Sequence, residues 1–185
     1  MRKTVFLDRD GLINRQAPEH DYIKTWAEFQ FLPGAAEAIR ELNEAGFLVL
    51  VVTNQRGVAR GMMSMAAVEA VHKTMLAELD KAGAHIAKVY VCPHEEGTCD
   101  CRKPGIGLFL QAERDFEIDK PRSWMVGDSD SDVEAGMRYG VRTIKTRSLL
   151  SAASQILGTG SERNGPDADD LGDNGVKKGN RQRWK

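Results

Sequence analysis

The 185-residue chain is long enough for one well-buried domain and too short for two comfortable ones. It is 41% hydrophobic and 29% charged with a formal net charge of −1, so no global field draws in nucleic acid or anionic lipid. The longest apolar run, Phe47 to Val52, is far shorter than a membrane span. Met1-Arg2-Lys3 leads into an apolar stretch too short for a signal peptide, so the expected location is the cytoplasm. All three cysteines lie between Cys92 and Cys101, an odd, clustered set that argues against a disulfide framework and fits a reducing compartment.

In chain order, Lys3–Asp8 is short, apolar and ends in acid, like a buried parallel strand. Residues 11–33 show no sustained period and carry Trp26, Phe29 and Phe31, which predicts a packed loop or flap. Ala35, Ala38, Ile39 and Leu42 stand at helical spacing, and Gly46 is placed to end that helix. Phe47–Thr53 reads as a second strand buried on both faces. Ser64 can cap a long helix whose stripe is Val68, Val71, Met75, Leu76 and Leu79, closed by Gly83. A third strand over Ile86–Cys92, a helix over Gly105–Phe116, a fourth strand over Ser123–Asp128, a helix over Asp130–Tyr139 and a short strand over Arg142–Lys145 follow. Alternating strands and helices predict an α/β fold, a three-layer doubly wound parallel sheet covered on both faces. Ligands in such folds bind at the carboxyl ends of the strands, where Asp8, Thr53 and Asp128 fall. From residue 158 to 185 Gly, Ser, Asn, Asp, Lys and Arg dominate. That stretch is expected to be a disordered tail behind a domain of residues 1–157.

Asp8-Arg9-Asp10-Gly11 sets two carboxylates at i and i+2. A phosphate monoester repels nucleophiles, so attack by Asp8 would need a divalent cation, with Asp10 giving a proton to the leaving oxygen; a solvated strand end explains the pair equally well. Thr53-Asn54-Gln55 offers a hydroxyl and amides that can bind a phosphoryl oxygen or simply make a turn. Arg102-Lys103 puts two cations just before a helix N-terminus, a place that favours anions, although such pairs are commonly solvated surface. Asp128, Asp130 and Asp132 repel one another within five residues, and Mg²⁺ is the usual reason to place them on one turn. A helix cap accounts for one or two of them and not for all three.

Taken in order, these four segments resemble the motifs of the haloacid dehalogenase-like phosphatases, from about Thr4 to Thr146. The resemblance implies Asp8 as nucleophile, Asp10 as general acid/base, and Thr53 and Lys103 holding the phosphoryl group. It also implies Mg²⁺ on Asp8, Asp128 and the backbone carbonyl of Asp10, with Asp132 supporting that site from behind. Leu12 stands where the family often has Thr, at a position with no chemical part.

Cys92-x-His94 and Cys99-x-Cys101 can wrap tetrahedrally around Zn²⁺, and four protein ligands leave no open position, so this ion would be structural. It would fix the loop just before Arg102 and Lys103. His20, His72 and His85 lack such company and read as surface or packing residues. About 45 residues separate Asp8 from Thr53 and about 50 separate Thr53 from Lys103, which leaves no room for a cap domain. A capless chain with this loop resembles the heptose bisphosphate phosphatases, through Thr53 to Gly61 and the opening Asp8 to Asn14. They remove the C7 phosphate of D-glycero-D-manno-heptose 1,7-bisphosphate. The histidinol phosphate phosphatases and other small sugar phosphate phosphatases are the alternatives. By that resemblance Arg102 would recognise substrate, and Asn54, Gln55 and Arg56 would line its pocket. The implied partner is a small phosphorylated sugar, met by a monomer, with no nucleic acid or membrane. A zinc-loop nucleic-acid-binding module is the non-enzymatic alternative; the aspartates would repel a phosphate backbone, and aromatics at 6% are too few for a stacking platform.

Overall fold

The computed structural model describes residues 1–161. Five strands form one parallel sheet: β1 Thr4–Leu7, β2 Leu48–Asn54, β3 Lys88–Cys92, β4 Trp124–Gly127 and β5 Arg142–Lys145, in the order β3-β2-β1-β4-β5. The helices are α1 Ala35–Glu44, α2 Met65–Lys81, α3 Gly107–Asp115, α4 Asp130–Tyr139 and α5 Leu149–Ser161.

The period of two along each strand divides the interior into two cores. Val5, Leu7, Val49 and Val51 face a layer built from α1, α2 and α5, while Phe6, Leu48, Leu50 and Val52 face α3 and α4. On the second face Phe6, Phe109 and Tyr139 stack with centroids 4.9–5.7 Å apart. The predicted three-layer doubly wound arrangement is therefore the one observed.

Local signals account for most element ends. Ser64 caps α2 by accepting from the Ala67 N–H, and Gly46, Gly83 and Gly140 follow helices in left-handed conformation. The third strand begins at Lys88 rather than Ile86. Helix α3 starts at Gly107 rather than Gly105, because the chain there presses against the preceding loop: a Cβ on Gly105 would sit 2.4 Å from the Asp100 carbonyl oxygen. Residues 11–33 pack as expected, with Leu12, Ile13, Ile23 and Phe29 buried and Trp26, Phe29 and Phe31 in mutual contact.

Helix α5 is an element the sequence analysis leaves unassigned. Leu149, Ala152, Ala153 and Ile156 have helical spacing and pack on α1. The helix runs on through residues 158–161, the first positions given to the tail; residues 162–185 lie outside the described residues. No described helix is long and apolar enough to cross a membrane.

Strand β1 sits in the middle of the sheet, and after β3 the chain crosses to its other side to make β4. The strand order thus reverses at β1, where the carboxyl ends of β1, β2 and β4 meet above one crevice.

Candidate active site and metal centres

Register brings the strand-end residues together. β1 is hydrogen-bonded to β2 on one side and β4 on the other, so Asp8 emerges between Thr53 and Asp128. Lys103 arrives from the loop before α3 and is 3% exposed; its Nζ donates to Asp8 Oδ1 (2.7 Å) and the Val52 carbonyl (2.7 Å), and lies 2.7 Å from Asp132 Oδ1. All three ammonium protons are thereby used. The Lys103 backbone is clamped by Asn54, whose Oδ1 accepts from the Lys103 N–H (3.0 Å) and whose Nδ2 donates to its carbonyl (3.1 Å).

Asp8, Asp128 and Asp132 each place a carboxylate oxygen within 4.8 Å of the others. Burial, with Asp132 and Asp10 adding to it and Lys103 opposing it, pushes Asp8 up to about 7. Burial and then Asp132 also raise Asp128. Burial alone would discharge Lys103, but Asp8 and Asp132 outweigh it and keep its pKa above the ordinary value. More carboxylates than cations thus converge on one point, which is the donor set of a hard divalent ion. Asp132 belongs to the support of that site: it is 1% exposed, its Oδ1 faces Lys103, and its Oδ2 accepts from the Ser129 N–H (3.1 Å) and hydroxyl (2.6 Å) in a capping box opening α4. Gly11 has φ +88°, and a Cβ there would lie 2.4 Å from Asp128 Oδ2, so only glycine lets the chain turn past this carboxylate.

Asp10 stands outside that trio and has partners of its own. It accepts from Arg9 Nε (3.2 Å) and Nη2 (2.8 and 2.9 Å), from Asn14 Nδ2 (2.9 Å) and from Gln55 Nε2 (2.9 Å). Burial works to raise its pKa, but the charge of Arg9 and these hydrogen bonds outweigh it and hold the carboxyl below its usual range. Gln55 is 1% exposed and also donates to Thr53 Oγ1 (2.9 Å), so it links the two groups rather than lining a pocket.

The Cys/His loop is a compact cage. Cys92, Cys99 and Cys101 have Sγ atoms 3.1–3.6 Å apart, and His94 Nδ1 lies 3.2 Å from Cys101 Sγ and 3.7 Å from Cys92 Sγ. Thiolates about 2.3 Å from a tetrahedral zinc would stand about 3.8 Å from each other, so a small expansion fits the ion. Burial opposes ionisation of Cys99, yet hydrogen bonds from the Arg102 N–H and the neighbouring thiols draw it down to about 7. The cage is tied to the segment after β2 by Arg56–Glu95 (3.2 Å), Arg56–Glu96 (3.3 Å) and Arg60–Glu95 (3.1 Å). Arg56 is therefore turned onto the loop, and it also hydrogen-bonds Tyr22 on the rim of one of two hollows near the strand ends.

Those hollows meet at Asn54. One, about 220 Å³, is bordered by Asp10, Gln16, Asp21 and Tyr22; the other, about 230 Å³, by Glu96, Arg102, Lys103 and Ser131. Arg102 Nη1 is buried with no hydrogen-bond partner among the described residues.

Residues 100–171 match the family described as HAD-hydrolase-like. D-glycero-beta-D-manno-heptose-1,7-bisphosphate 7-phosphatase of Rhodopseudomonas palustris is 47% identical over 148 residues, 76% of this chain and 81% of that protein. The chain belongs to the haloacid dehalogenase-like phosphatases. An alpha-anomer counterpart, D-glycero-alpha-D-manno-heptose-1,7-bisphosphate 7-phosphatase of Mycobacterium bovis, is 44% identical over 70% of this chain and 69% of that protein. Among solved structures of the family, D,D-heptose 1,7-bisphosphate phosphatase from B. bronchiseptica, complexed with magnesium and phosphate, superposes with a TM-score of 0.73 at 29% identity, over 85% of this chain and 99% of that one.

Beyond the family motifs, four contributors escaped sequence reasoning. Arg9 reaches Asp10 and His72 reaches Arg9, while Gln16 donates to Asp128 Oδ2 (2.8 Å) and Arg147 Nε approaches the same oxygen (3.5 Å). His72, read as surface or packing, is buried at 6% exposure and hydrogen-bonded to Arg9. Only the acids flanking Arg9 hinted at its role; for the others no local pattern exists, since each meets its partner through tertiary contact.

Proposed function

We propose that this chain hydrolyses the C7 phosphate of D-glycero-D-manno-heptose 1,7-bisphosphate in a magnesium-dependent reaction through a phospho-aspartyl intermediate on Asp8. The observation that carries this reading is the convergence of Asp8, Asp128, Asp132 and Lys103 at the sheet's crevice. The family and the names of its heptose-specific relatives support the substrate. Asp8, Asp128 and the Asp10 carbonyl would hold a magnesium ion, which would supply charge neutralisation for the phosphoryl group. An Asp8 oxygen attacks phosphorus, the P–O bond to C7 breaks, and Asp10, after taking up a proton against the pull of Arg9, gives it to the departing oxygen. Water then attacks the aspartyl phosphate, Asp10 takes the water's proton, and the free carboxylate of Asp8 is restored. Thr53 and Lys103 hold the phosphoryl oxygens, and Cys92, His94, Cys99 and Cys101 would hold a zinc ion that fixes the loop delivering Lys103.

The hollow beside Arg102 suits a second anionic group, because a buried guanidinium N–H without a partner is stabilised by one. Asn54 borders both hollows, so it is placed to contact the sugar between the two phosphates. Every residue in this scheme comes from one chain, which fits a monomer, and three unpaired thiols fit the cytoplasm. The test is phosphate release with Mg²⁺ from both anomers of the heptose 1,7-bisphosphate and from histidinol phosphate, followed by ³¹P NMR. Loss of the C7 signal with retention of the C1 phosphate is expected. Faster turnover of histidinol phosphate would overturn the substrate assignment, and the failure of every monoester would overturn the reaction.

A further inference from the structure

Arg9 lies between the two reacting aspartates yet has no part in the scheme above, and it is completely buried, among the largest such side chains in the protein. A guanidinium keeps its charge at any working pH, so burying one is tolerated only where acceptors surround it. Its Nε and Nη2 take the Asp10 carboxylate, and its Nη1 lies 2.8 Å from His72 Nε2. Arginine can only donate, so Nε2 must accept, which makes His72 a neutral imidazole with its proton on Nδ1. Burial and then the charge of Arg9 keep it neutral, with its pKa lowered to about 3. His72 is anchored in α2, whose Val71, Met75 and Leu79 are locked in the core.

We infer that Arg9, braced by His72, is the positioning residue for Asp10, joining the rigid α2 to the carboxyl group that hands a proton to the leaving oxygen. Without His72, Arg9 Nη1 is a buried donor with nothing to bind, and the fork is free to rotate off Asp10. Asn14 and Gln55 contact single oxygens of that carboxylate and fix its plane less firmly than the two-pronged arginine contact. This inference rests on Asp10 being the proton donor.

Leaving-group dependence separates positioning of an acid from general damage. An alkyl phosphate needs its leaving oxygen protonated, whereas p-nitrophenolate departs without help. First-turnover release of alcohol or phenol would be measured for a sugar phosphate and for p-nitrophenyl phosphate, in wild type, Asp10→Asn, His72→Leu, His72→Gln and Arg9→Lys. Circular dichroism would check that each variant is folded. In His72→Leu the alkyl ester should slow about tenfold or more with the aryl ester slowing less than about threefold. His72→Gln, whose side-chain oxygen can accept from Nη1, should recover most of the rate. Arg9→Lys keeps the charge and loses the fork, so it should repeat the selective loss even if His72→Leu does not fold. Equal slowing of both esters, or unchanged rates in His72→Leu and Arg9→Lys beside a selective defect in Asp10→Asn, overturns the inference alone. If Asp10→Asn shows no alkyl-over-aryl defect, the proton-donor assignment falls, and the positioning role with it.

Discussion

The strand-end centre and the Cys/His cage both look like metal sites, and they are built in opposite ways. Asp8, Thr53, Lys103, Asp128 and Asp132 come from four distant segments and meet only because β1, β2 and β4 pair in parallel register. The four candidate zinc ligands lie within ten consecutive residues and need little beyond a loop that closes on itself. In the first, charges are buried against one another and chemistry depends on their balance; in the second, a bound ion would replace the core that a short loop cannot form. Damage to the first should therefore abolish the reaction, and damage to the second should misplace groups that remain chemically intact.

The largest effect is expected for Asp8→Asn, which removes the nucleophile. Phosphate release should fall by roughly 10⁴-fold or more while thermal unfolding stays cooperative. Residual turnover above about 1% would break the comparison. Lys103→Met removes the cation that touches both Asp8 and Asp132 and leaves two buried carboxylates without it. Breaking such a pair costs about 3–5 kcal/mol, so urea denaturation of the metal-free variant should show that loss as well as the loss of activity.

Magnesium offers a readout that does not depend on turnover. The raised pKa of Asp8, about 7 against 3.8 when unfolded, means the folded protein holds an extra proton between those values. That contribution to stability is complete below about pH 4 and is lost as pH rises through 7. Metal-free wild type should thus lose stability relative to Asp8→Asn between pH 4 and 7. Magnesium at about 100 times its dissociation constant should restore about 2.7 kcal/mol at pH 7.5. A thermal midpoint indifferent to Mg²⁺ would argue against this metal centre.

Cys99→Ser tests the cage. Zinc content by mass spectrometry should drop, and kcat/KM should fall about 10- to 100-fold without vanishing, because Arg102 and Lys103 lose their positioning. Loss as complete as in Asp8→Asn would erase the distinction between the two regions. The smallest effect belongs to Glu95→Ala, which removes the Arg60 pair and leaves Arg56 paired with Glu96. Partly exposed ion pairs contribute about 0–1 kcal/mol, so KM should change by less than about fivefold with zinc retained.

The sequence by itself determined the alternation of strands and helices, the order of the four motifs, and the residues that gather in the cage. Each of these is written in short-range pattern: strand runs such as Leu48–Asn54, a capping Ser64, or cysteines and a histidine a few residues apart. Helix α5 had its pattern too, in Leu149, Ala152, Ala153 and Ile156 behind Ser148, whose hydroxyl accepts from the Ser151 N–H, but so short a stripe was not enough to declare a helix until α1 was seen to receive it. Only the tertiary structure decided that Arg56 turns to Glu95 and Glu96, that Gln55 ties Asp10 to Thr53, and that His72 reaches Arg9 across 63 positions. A buried polar side chain is stable only where a partner waits for it. Which partner waits is fixed by how helices settle on the sheet, and no local stretch of sequence records that.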